Sequence, residues 1–210
     1  MPNYTHHTFE GGGIAIWHIT EPADELYSLL ATPRYDEQLS AKHHEARRAE
    51  WLAVRLLVKE LFGPEAEVAY HSTGRPYLKD STTHISISHT KGYAAVAYSI
   101  DGSIGLDVER VADRVERIAE RFTSSAEAQY IDVHAAHERQ LYHLVNWSAK
   151  EALYKLYDDA RMAEFKEAFH IAPYTLDTQG VLDAVVPMAE NERVVVHYLL
   201  FPDFVCTWVG

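Results

Sequence analysis

The sequence lacks the marks of a disulfide framework, a membrane protein or a disordered chain. Cys206 is its one cysteine, so no disulfide can form within these 210 residues. No apolar run approaches the roughly 20 residues that are needed to span a bilayer. No low-complexity tract and no long linker rich in proline, glycine or serine interrupts it. The hydrophobic fraction of 47% is enough for a packed core.

Basic side chains are scarce as well, since 19 Lys and Arg stand against 31 Asp and Glu, for a net charge of −12. Residues 101–210 carry 10 basic and 19 acidic side chains, so most of the acidity lies in the second half. Such a surface disfavours general binding to nucleic acid or to anionic membranes. It suits a protein that holds cations in one place. The polar segment Met1–Gly13 lacks the features of a secretory signal, so we expect a cytoplasmic protein.

The predicted elements follow a similar order in the two halves of the chain. In the first half, hydrophobic periodicity predicts a strand, a long amphipathic helix and three more strands, at residues 13–19, 40–62, 67–71, 84–89 and 93–99. In the second half it predicts a strand, three helical segments and four strands, at residues 103–108, 112–121, 125–133, 136–157, 168–171, 181–186, 193–200 and 204–208. This repetition indicates an α+β fold with an internal structural duplication. We therefore expect two lobes, residues 1–100 and 101–210, each with a long helix packed on a small antiparallel sheet.

Two acidic residues alternate with apolar ones in the strand-like segment from Gly105 to Glu109. Side chains alternate across a strand, so Asp107 and Glu109 share one face, and Leu106 and Val108 face the core. Two neighbouring carboxylates repel unless a cation or a proton separates them, and Mg²⁺ prefers oxygen ligands. The pattern predicts a metal site, with a solvated strand edge as the alternative.

A second motif is the segment W-S-A-K-E-A-L-Y-K, residues 147–155. On a helix, Trp147, Glu151 and Lys155 follow at i, i+4 and i+8, and we expect Lys150 beside them on one broad face. If Glu151 meets the two acidic residues of the strand, three carboxylates share one metal and the lysines present cations to a phosphate. The alternative is a surface ion pair between Glu151 and Lys155, with Trp147 in the core.

Two further segments offer hydrogen-bond donors for phosphate. The turn Gly74-Arg75-Pro76 presents a guanidinium, and Ser88-His89-Thr90 ends a strand with hydroxyls and an imidazole. A basic run, K-H-H-E-A-R-R at residues 42–48, lies near the start of the first long helix. The alternatives are a decorated β-turn and a solvated helix face.

In this order, the motifs between residues 73 and 155 resemble those of the 4′-phosphopantetheinyl transferase superfamily. The length and the duplicated organisation are similar to its monomeric, two-lobed branch, the surfactin-synthetase-activator type. The resemblance implies transfer of the 4′-phosphopantetheine group of coenzyme A to a serine of an apo carrier protein, that is, holo-[acyl-carrier-protein] synthase activity. It also implies dependence on Mg²⁺, release of 3′,5′-ADP and an active site in the cleft between the lobes.

The resemblance also assigns roles to residues of this sequence. The implied metal ligands are Asp107, Glu109 and Glu151, for Mg²⁺ with Mn²⁺ as an alternative ion. The implied catalytic residues are Glu151, Lys155 and Lys150, and either Glu151 or a metal-bound water takes the serine proton. The residues implied in coenzyme A binding are Arg47, Arg48, Arg75, Pro76, Ser88, His89 and Lys155. Arg48, with Arg47 as the alternative, fits the position that reaches the 3′-phosphate.

The acceptor stays open, because fatty-acid, polyketide, peptide-synthetase and siderophore carriers present a similar serine; fatty acid biosynthesis is one expected setting. Carrier proteins are usually acidic, as this chain is, so recognition needs a local basic patch. Arg114, Arg117 and Arg121, at i, i+3 and i+7, predict one, with a solvated helix face as the alternative. Two other functions fit the same residues: a metal-dependent phosphoester hydrolase acting on coenzyme A or nucleotides, and a non-catalytic module that binds coenzyme A or a carrier protein.

Overall fold

The computed structural model describes residues 4–210, and the chain divides into two compact units. The first unit ends at Ser103 and the second begins at Ile104. Each unit combines helices with antiparallel strands, so the predicted α+β class is confirmed. Among the helices of the described residues, none has the length and apolarity that crossing a membrane requires.

The first unit places a long helix on a four-stranded antiparallel sheet. Its elements, in chain order, are β1 (Tyr4–Phe9), β2 (Gly12–His18), α1 (Ala23–Leu30), α2 (Asp36–Ser40), α3 (Glu45–Phe62), β3 (Val68–Tyr70), β4 (Pro76–Leu78), β5 (His84–Thr90) and β6 (Tyr93–Ser99). The sheet has the strand order β1-β2-β6-β5, and β3 pairs with β4 as a separate hairpin. Helix α3 buries Leu52, Leu56 and their apolar neighbours against Val96 and Ile85 of the sheet. These buried positions recur at helical spacing, which explains why this segment forms an amphipathic helix.

The second unit places a longer helix on a five-stranded antiparallel sheet. Its elements are β7 (Gly105–Arg110), α4 (Arg114–Phe122), α5 (Ser125–Ile131), α6 (Ala136–Tyr157), α7 (Phe165–Ala168), β8 (His170–Ile171), β9 (Gln179–Val186), β10 (Glu192–Leu200) and β11 (Phe204–Val209). The strand order is β7-β11-β10-β9-β8. Helix α6 buries Val145, Ala149 and Leu153 in a core shared with Val196 and Val205 of the sheet. The two sheets differ in strand number, and the predicted duplication stays a prediction.

Some elements differ from the sequence prediction in position or in kind. The long helix α3 begins at Glu45, because the short helix α2 and the bend after it occupy residues 36–44. Strand β1 was not predicted, since four of its six residues are exposed and it shows no buried face. Strand β4 was interpreted as part of a turn because it starts at Pro76, which cannot donate a backbone hydrogen bond but is tolerated at a strand end.

Strand β7 and helix α6 approach each other too closely for a side chain at Gly105. A Cβ atom there would collide with the carbonyl oxygen of Ala152. Glycine is therefore required at this position, because the neighbour is helix backbone and cannot move aside. The strand carries Asp107 and the helix carries Glu151, so this contact sets the spacing between the elements that hold the predicted site.

Candidate active site

Asp107 of strand β7 accepts hydrogen bonds through both of its carboxylate oxygens, from donors on different sides. The Ser148 hydroxyl donates to Oδ2 at 2.9 Å, and the Lys155 ammonium donates to Oδ1 at 2.8 Å. Lys155 also donates to the carbonyl of Leu106 at 2.8 Å. The Ser148 hydroxyl is in turn 2.9 Å from the hydroxyl of Thr207, which lies opposite Asp107 in the β7–β11 register. These contacts hold the Asp107 carboxylate in one orientation and satisfy its charge at a position where the residue is only 5% exposed.

Glu109 follows two residues later on the same strand and is held by the indole of Trp147. The indole N–H donates to Oε1 at 3.1 Å. Burial raises the pKa of Glu109, and the neighbouring Asp107 raises it further, while the Trp147 hydrogen bond and the charges of Arg114 and Lys155 act in the opposite direction. The Glu109 carboxylate therefore carries a charge that its surroundings only partly compensate.

Glu151 lies one helical turn after Trp147 on α6, and its carboxylate has neither a hydrogen bond nor an ion pair within residues 4–210. Burial raises its pKa to about 7, and the charges of Asp107 and Glu109 contribute in the same direction, against the opposing effect of Lys155. The alternative interpretation, a surface ion pair between Glu151 and Lys155, is not what the structure shows, because Lys155 pairs with Asp107. A carboxyl group with a pKa near neutrality is suited to taking up and releasing a proton at physiological pH.

These carboxylates have the chemistry of a magnesium site without forming a closed cage. Across residues 4–210, no group of three or more His, Cys, Asp or Glu side chains is arranged to hold a metal ion. The charge of Asp107 nevertheless raises the pKa of both Glu109 and Glu151, and the charge of Glu109 also raises that of Glu151, which is the repulsion that a cation would relieve. Mg²⁺ is usually bound by one or two carboxylates together with substrate phosphates and water rather than by a cage made only of protein. The donor set fits such an ion.

Lys150 does not lie on the face predicted for it. Its side chain is completely buried, and its ammonium donates to Oε2 of Glu127 at 2.8 Å and to the carbonyl of Phe122 at 2.6 Å. Adjacent residues on a helix point about 100° apart, so Lys150 faces α4 and α5 while Glu151 faces β7. Lys150 therefore stabilises the α4–α5 junction, and the prediction that it faces a phosphate is wrong.

In the first unit, the structure brings together Arg47 of α3 and His89 of β5. The Arg47 Nη1 atom is 3.3 Å from Nδ1 of His89, and both lie beside the carboxylate of Glu50. Arg48 instead turns toward acidic side chains near the helix start, at 3.5 Å from Asp24 and 3.7 Å from Glu45. The structure thus places Arg47, the alternative in the sequence prediction, beside His89, and Arg48, the first choice, beside two carboxylates.

The other residues predicted to bind coenzyme A lie at two places in the same unit. Ser88 is 6% exposed and precedes His89 on β5. Arg75 lies in the tight turn of the β3–β4 hairpin, followed by Pro76 at the first position of β4. The Nη2 atom of Arg75 is buried and has no hydrogen-bond partner in the described part of the chain. A buried donor without an acceptor is costly, so this guanidinium is suited to receiving an anionic or carbonyl ligand.

Sequence reasoning missed three residues that act on the predicted site. Ser148 could have been found, because it lies three and seven residues before Glu151 and Lys155 and so belongs to the same helix face. Thr207 could not, since its position beside Asp107 depends on the pairing of strands that are far apart in the chain. Glu50 could not be connected with His89 either, because α3 and β5 are far apart in the chain and meet only in the folded unit.

Comparisons with known proteins identify relatives of this chain, and the family comparison covers the carboxylates of β7 and α6. A sequence model described as the 4′-phosphopantetheinyl transferase superfamily matches residues 103–186. The 4′-phosphopantetheinyl transferase AcpT of Salmonella typhi is 32% identical over 135 residues, which cover 62% of this chain and 70% of that protein. The AcpT protein of Salmonella typhimurium is 28% identical over the same shares of both chains. The 4′-phosphopantetheinyl transferase psf-1 of Bacillus pumilus is 28% identical over 107 residues, 49% of this chain and 46% of that one.

The chain belongs to the 4′-phosphopantetheinyl transferase superfamily. The resemblance found in the sequence motifs is therefore confirmed, as is the predicted enzyme class. The family match begins two residues before Gly105 and includes all of α6, so this phosphopantetheinyl transferase carries Asp107, Glu109, Glu151 and Lys155 within the matched region.

The stability of this phosphopantetheinyl transferase without metal is expected to depend on the protonation of Glu151. Its pKa in the folded protein, about 7, lies above the ordinary value of 4.5. The associated stability is therefore fully present below pH 4.5 and is lost as the pH rises through 7. Glu151→Gln removes this titration. It should therefore increase the free energy of unfolding by ~2 kcal/mol more at pH 8 than at pH 5. Urea unfolding in EDTA at both pH values measures this.

The control for this measurement is Glu60→Gln, which changes an exposed glutamate of α3. It should shift stability by the same small amount at the two pH values. If Glu151→Gln also has the same effect at pH 5 and pH 8, the Glu151 carboxyl titrates normally and the assignment of a raised pKa fails.

Proposed function

We propose that this enzyme transfers the 4′-phosphopantetheine group of coenzyme A to a serine of an apo carrier protein, requires a divalent cation such as Mg²⁺, and releases 3′,5′-ADP. One observation carries the proposal: β7 and α6 place two oriented carboxylates, a lysine and a half-buried glutamate with a pKa near neutrality beside one another. This combination is suited to a phosphoryl-type transfer, which needs charge neutralisation, alignment and the removal of one proton.

Asp107 and Glu109 would hold the divalent cation. Each carboxylate keeps acceptor capacity beyond its present hydrogen bonds, because a carboxylate offers about four lone-pair positions. A bound cation would neutralise charge on the pyrophosphate and align it. Ser148 and Trp147 orient the two carboxylates from behind, so little reorganisation is required for them to act as ligands.

Glu151 would accept the proton of the attacking serine, and Lys155 would stabilise charge on the phosphoryl oxygens. Glu151 suits a general base because no hydrogen bond occupies its carboxylate in the described part of the chain, which leaves it open to the attacking hydroxyl. Lys155 is anchored on Asp107 and remains 27% exposed, so its ammonium can also face an anionic ligand. This arrangement favours Glu151 over a metal-bound water as the base.

Coenzyme A would be bound through residues of the first unit as well. Arg47 rather than Arg48 would reach its 3′-phosphate, because Arg47 lies beside His89 whereas Arg48 faces two acidic side chains. Arg75 would meet the adenine end, which gives its buried Nη2 atom an acceptor. The predicted location of the active site in a cleft between the lobes stays a prediction, as do the monomeric state and the cytoplasmic location.

The acceptor would dock on the surface around α4. A cavity of about 560 Å³ there has an apolar lining that includes Phe122 and Trp147, and its charged lining residues are Arg114, Arg121, Lys166, Glu120, Glu164 and Glu167. Trp147 binds Glu109, so the cavity reaches the edge of the carboxylate site. A rim that carries both signs of charge around an apolar floor suits a partner that inserts an apolar side chain and places its acidic groups against the arginines.

The test is intact-mass spectrometry of an apo acyl carrier protein after incubation with the enzyme, coenzyme A and Mg²⁺, with an EDTA control. Transfer of one phosphopantetheine group adds about 340 Da to the carrier, and EDTA should abolish the gain because the cation neutralises the pyrophosphate. Several carrier types should be offered, including those of fatty acid, polyketide, peptide-synthetase and siderophore systems.

Each alternative outcome identifies a different function. Consumption of coenzyme A without a mass gain on any carrier would replace the proposal with a hydrolase. Coenzyme A that is bound but stays intact would indicate a binding module. Transfer that persists in EDTA would contradict the requirement for a cation.

A further inference from the structure

Glu50 is a buried carboxylate of α3 to which the proposed reaction assigns no role. It is 7% exposed, and its Oε2 atom is 3.0 Å from Nη1 of Arg47 and 3.3 Å from Nδ1 of His89. The Arg47 and His89 nitrogens are themselves 3.3 Å apart. One carboxylate oxygen therefore lies at the centre of a three-membered cluster formed by two elements that are distant in sequence.

The three members of this cluster differ in exposure. The side chain of Arg47 is 64% exposed and that of His89 is 40% exposed, whereas that of Glu50 is only 9% exposed. The carboxylate thus lies beneath two basic groups that reach the surface. Burial of a carboxylate is unfavourable unless cations or N–H groups surround it, so the position of Glu50 depends on both partners and constrains both.

We propose that Glu50 is a positioning residue that holds the Arg47 guanidinium and the His89 imidazole side by side as a receptor for a phosphate monoester. The inference rests on the proposed function, since the monoester is the 3′-phosphate of coenzyme A. An arginine that is nearly two-thirds exposed loses many rotamers when it binds a ligand, and a carboxylate that already fixes it reduces that loss. Glu50 also opposes the repulsion that would separate the two basic groups once His89 is protonated.

Electrostatic repulsion between Glu50 and the phosphate would weaken binding and so opposes the gain from positioning. The negative charge of Glu50 repels a phosphate and neutralises part of the charge of Arg47. If repulsion dominates, Glu50→Gln tightens coenzyme A binding; if positioning dominates, the same change weakens it. The Glu50 carboxylate contacts both bases directly, at 3.0 and 3.3 Å, whereas the phosphate would lie farther away on their exposed side, so we expect positioning to dominate.

The experiment compares binding of coenzyme A with binding of dephospho-coenzyme A, which lacks the 3′-phosphate, by titration calorimetry. Glu50→Ala should raise the Kd and KM for coenzyme A about tenfold, the loss of one charge-assisted hydrogen-bond network. Glu50→Gln, which keeps an acceptor oxygen, should raise them less. The Kd for dephospho-coenzyme A should change less than twofold in both variants, and kcat at saturating coenzyme A should stay within about twofold of wild type.

Two controls separate positioning from a general loss of structure. Glu60→Gln changes an exposed glutamate of the same helix and should leave both Kd values unchanged. In a background carrying Arg47→Met and His89→Asn, adding Glu50→Gln should have no further effect on the Kd for coenzyme A, because the groups that Glu50 positions are absent.

Two results would overturn the inference: Glu50 variants that bind coenzyme A as well as wild type or better, or variants that lose coenzyme A and dephospho-coenzyme A equally. Failure of the proposed function is recognised separately. A wild-type protein that binds coenzyme A but transfers nothing contradicts the transferase reaction alone, and the ratio of the two Kd values still decides the role of Glu50. A wild-type protein that binds neither compound overturns both.

Discussion

Replacing Glu151 with glutamine is expected to lower kcat by about 10²–10⁴-fold, the usual contribution of a general base. The loss should be confined to catalysis, because the Glu151 carboxylate makes no hydrogen bond within the described residues and its removal breaks no contact. The KM for coenzyme A should change little, since the residues proposed to bind its phosphates are unaltered. Steady-state transfer to an apo carrier protein, followed by intact mass, measures both constants.

Two companion variants make this result specific. Glu138→Gln, on the exposed start of the same helix, should retain wild-type kcat. Asp107→Asn should lose activity together with affinity for the cation, whereas Glu151→Gln should lose activity at any Mg²⁺ concentration. Undiminished turnover in Glu151→Gln would mean that another group takes the serine proton.

The second large effect concerns stability and follows from the buried pair of Lys150 and Glu127. Lys150→Met should lower the free energy of unfolding by about 3–5 kcal/mol, because it leaves the Glu127 carboxylate buried without its cation. Glu127 also accepts hydrogen bonds from the backbone N–H groups of Ser124 and Ile171, so its charge ties α5 and β8 to α6. Urea unfolding at fixed pH measures the loss as a lower midpoint at constant m-value.

The activity of the same variants distinguishes a structural lysine from a catalytic one. At a temperature where Lys150→Met remains folded, its kcat should stay within a few-fold of wild type. Exchanging both partners, Lys150→Met with Glu127→Gln, should cost less than the sum of the single changes, since no unpaired charge remains. Lys91→Met, at an exposed position, serves as the neutral control. Unchanged stability with abolished turnover would restore Lys150 to the catalytic group.

Local periodicity was sufficient to predict much of the fold. Helix α6 was predicted over residues 136–157 and occupies those residues, because its apolar positions repeat at helical spacing over six turns. The alternation that placed Asp107 and Glu109 on one face of β7 depends only on the two-residue period of a strand. Strand β1 escaped prediction because an edge strand with polar side chains on both faces carries no such signal.

The contacts that orient the site depend on pairings that no local pattern encodes. Helical spacing alone allowed Lys150 to share a face with Glu151, and only the packing of α4 and α5 on the other side of α6 shows that it does not. The hydroxyl of Thr207 reaches Ser148 because β11 pairs with β7, nearly 100 residues earlier in the chain. The choice between Arg47 and Arg48 likewise required the position of His89.

The collision that would follow from a side chain at Gly105 has a consequence for building chimeric enzymes. Since the spacing between β7 and α6 is set by backbone against backbone, these two segments have to be exchanged together or not at all. The intervening residues 111–135 make no part of that contact, and α6 holds them through Lys150 and Glu127. A graft of this stretch that keeps a glutamate at position 127 should therefore change the proposed acceptor surface while the carboxylates of β7 and α6 keep their spacing.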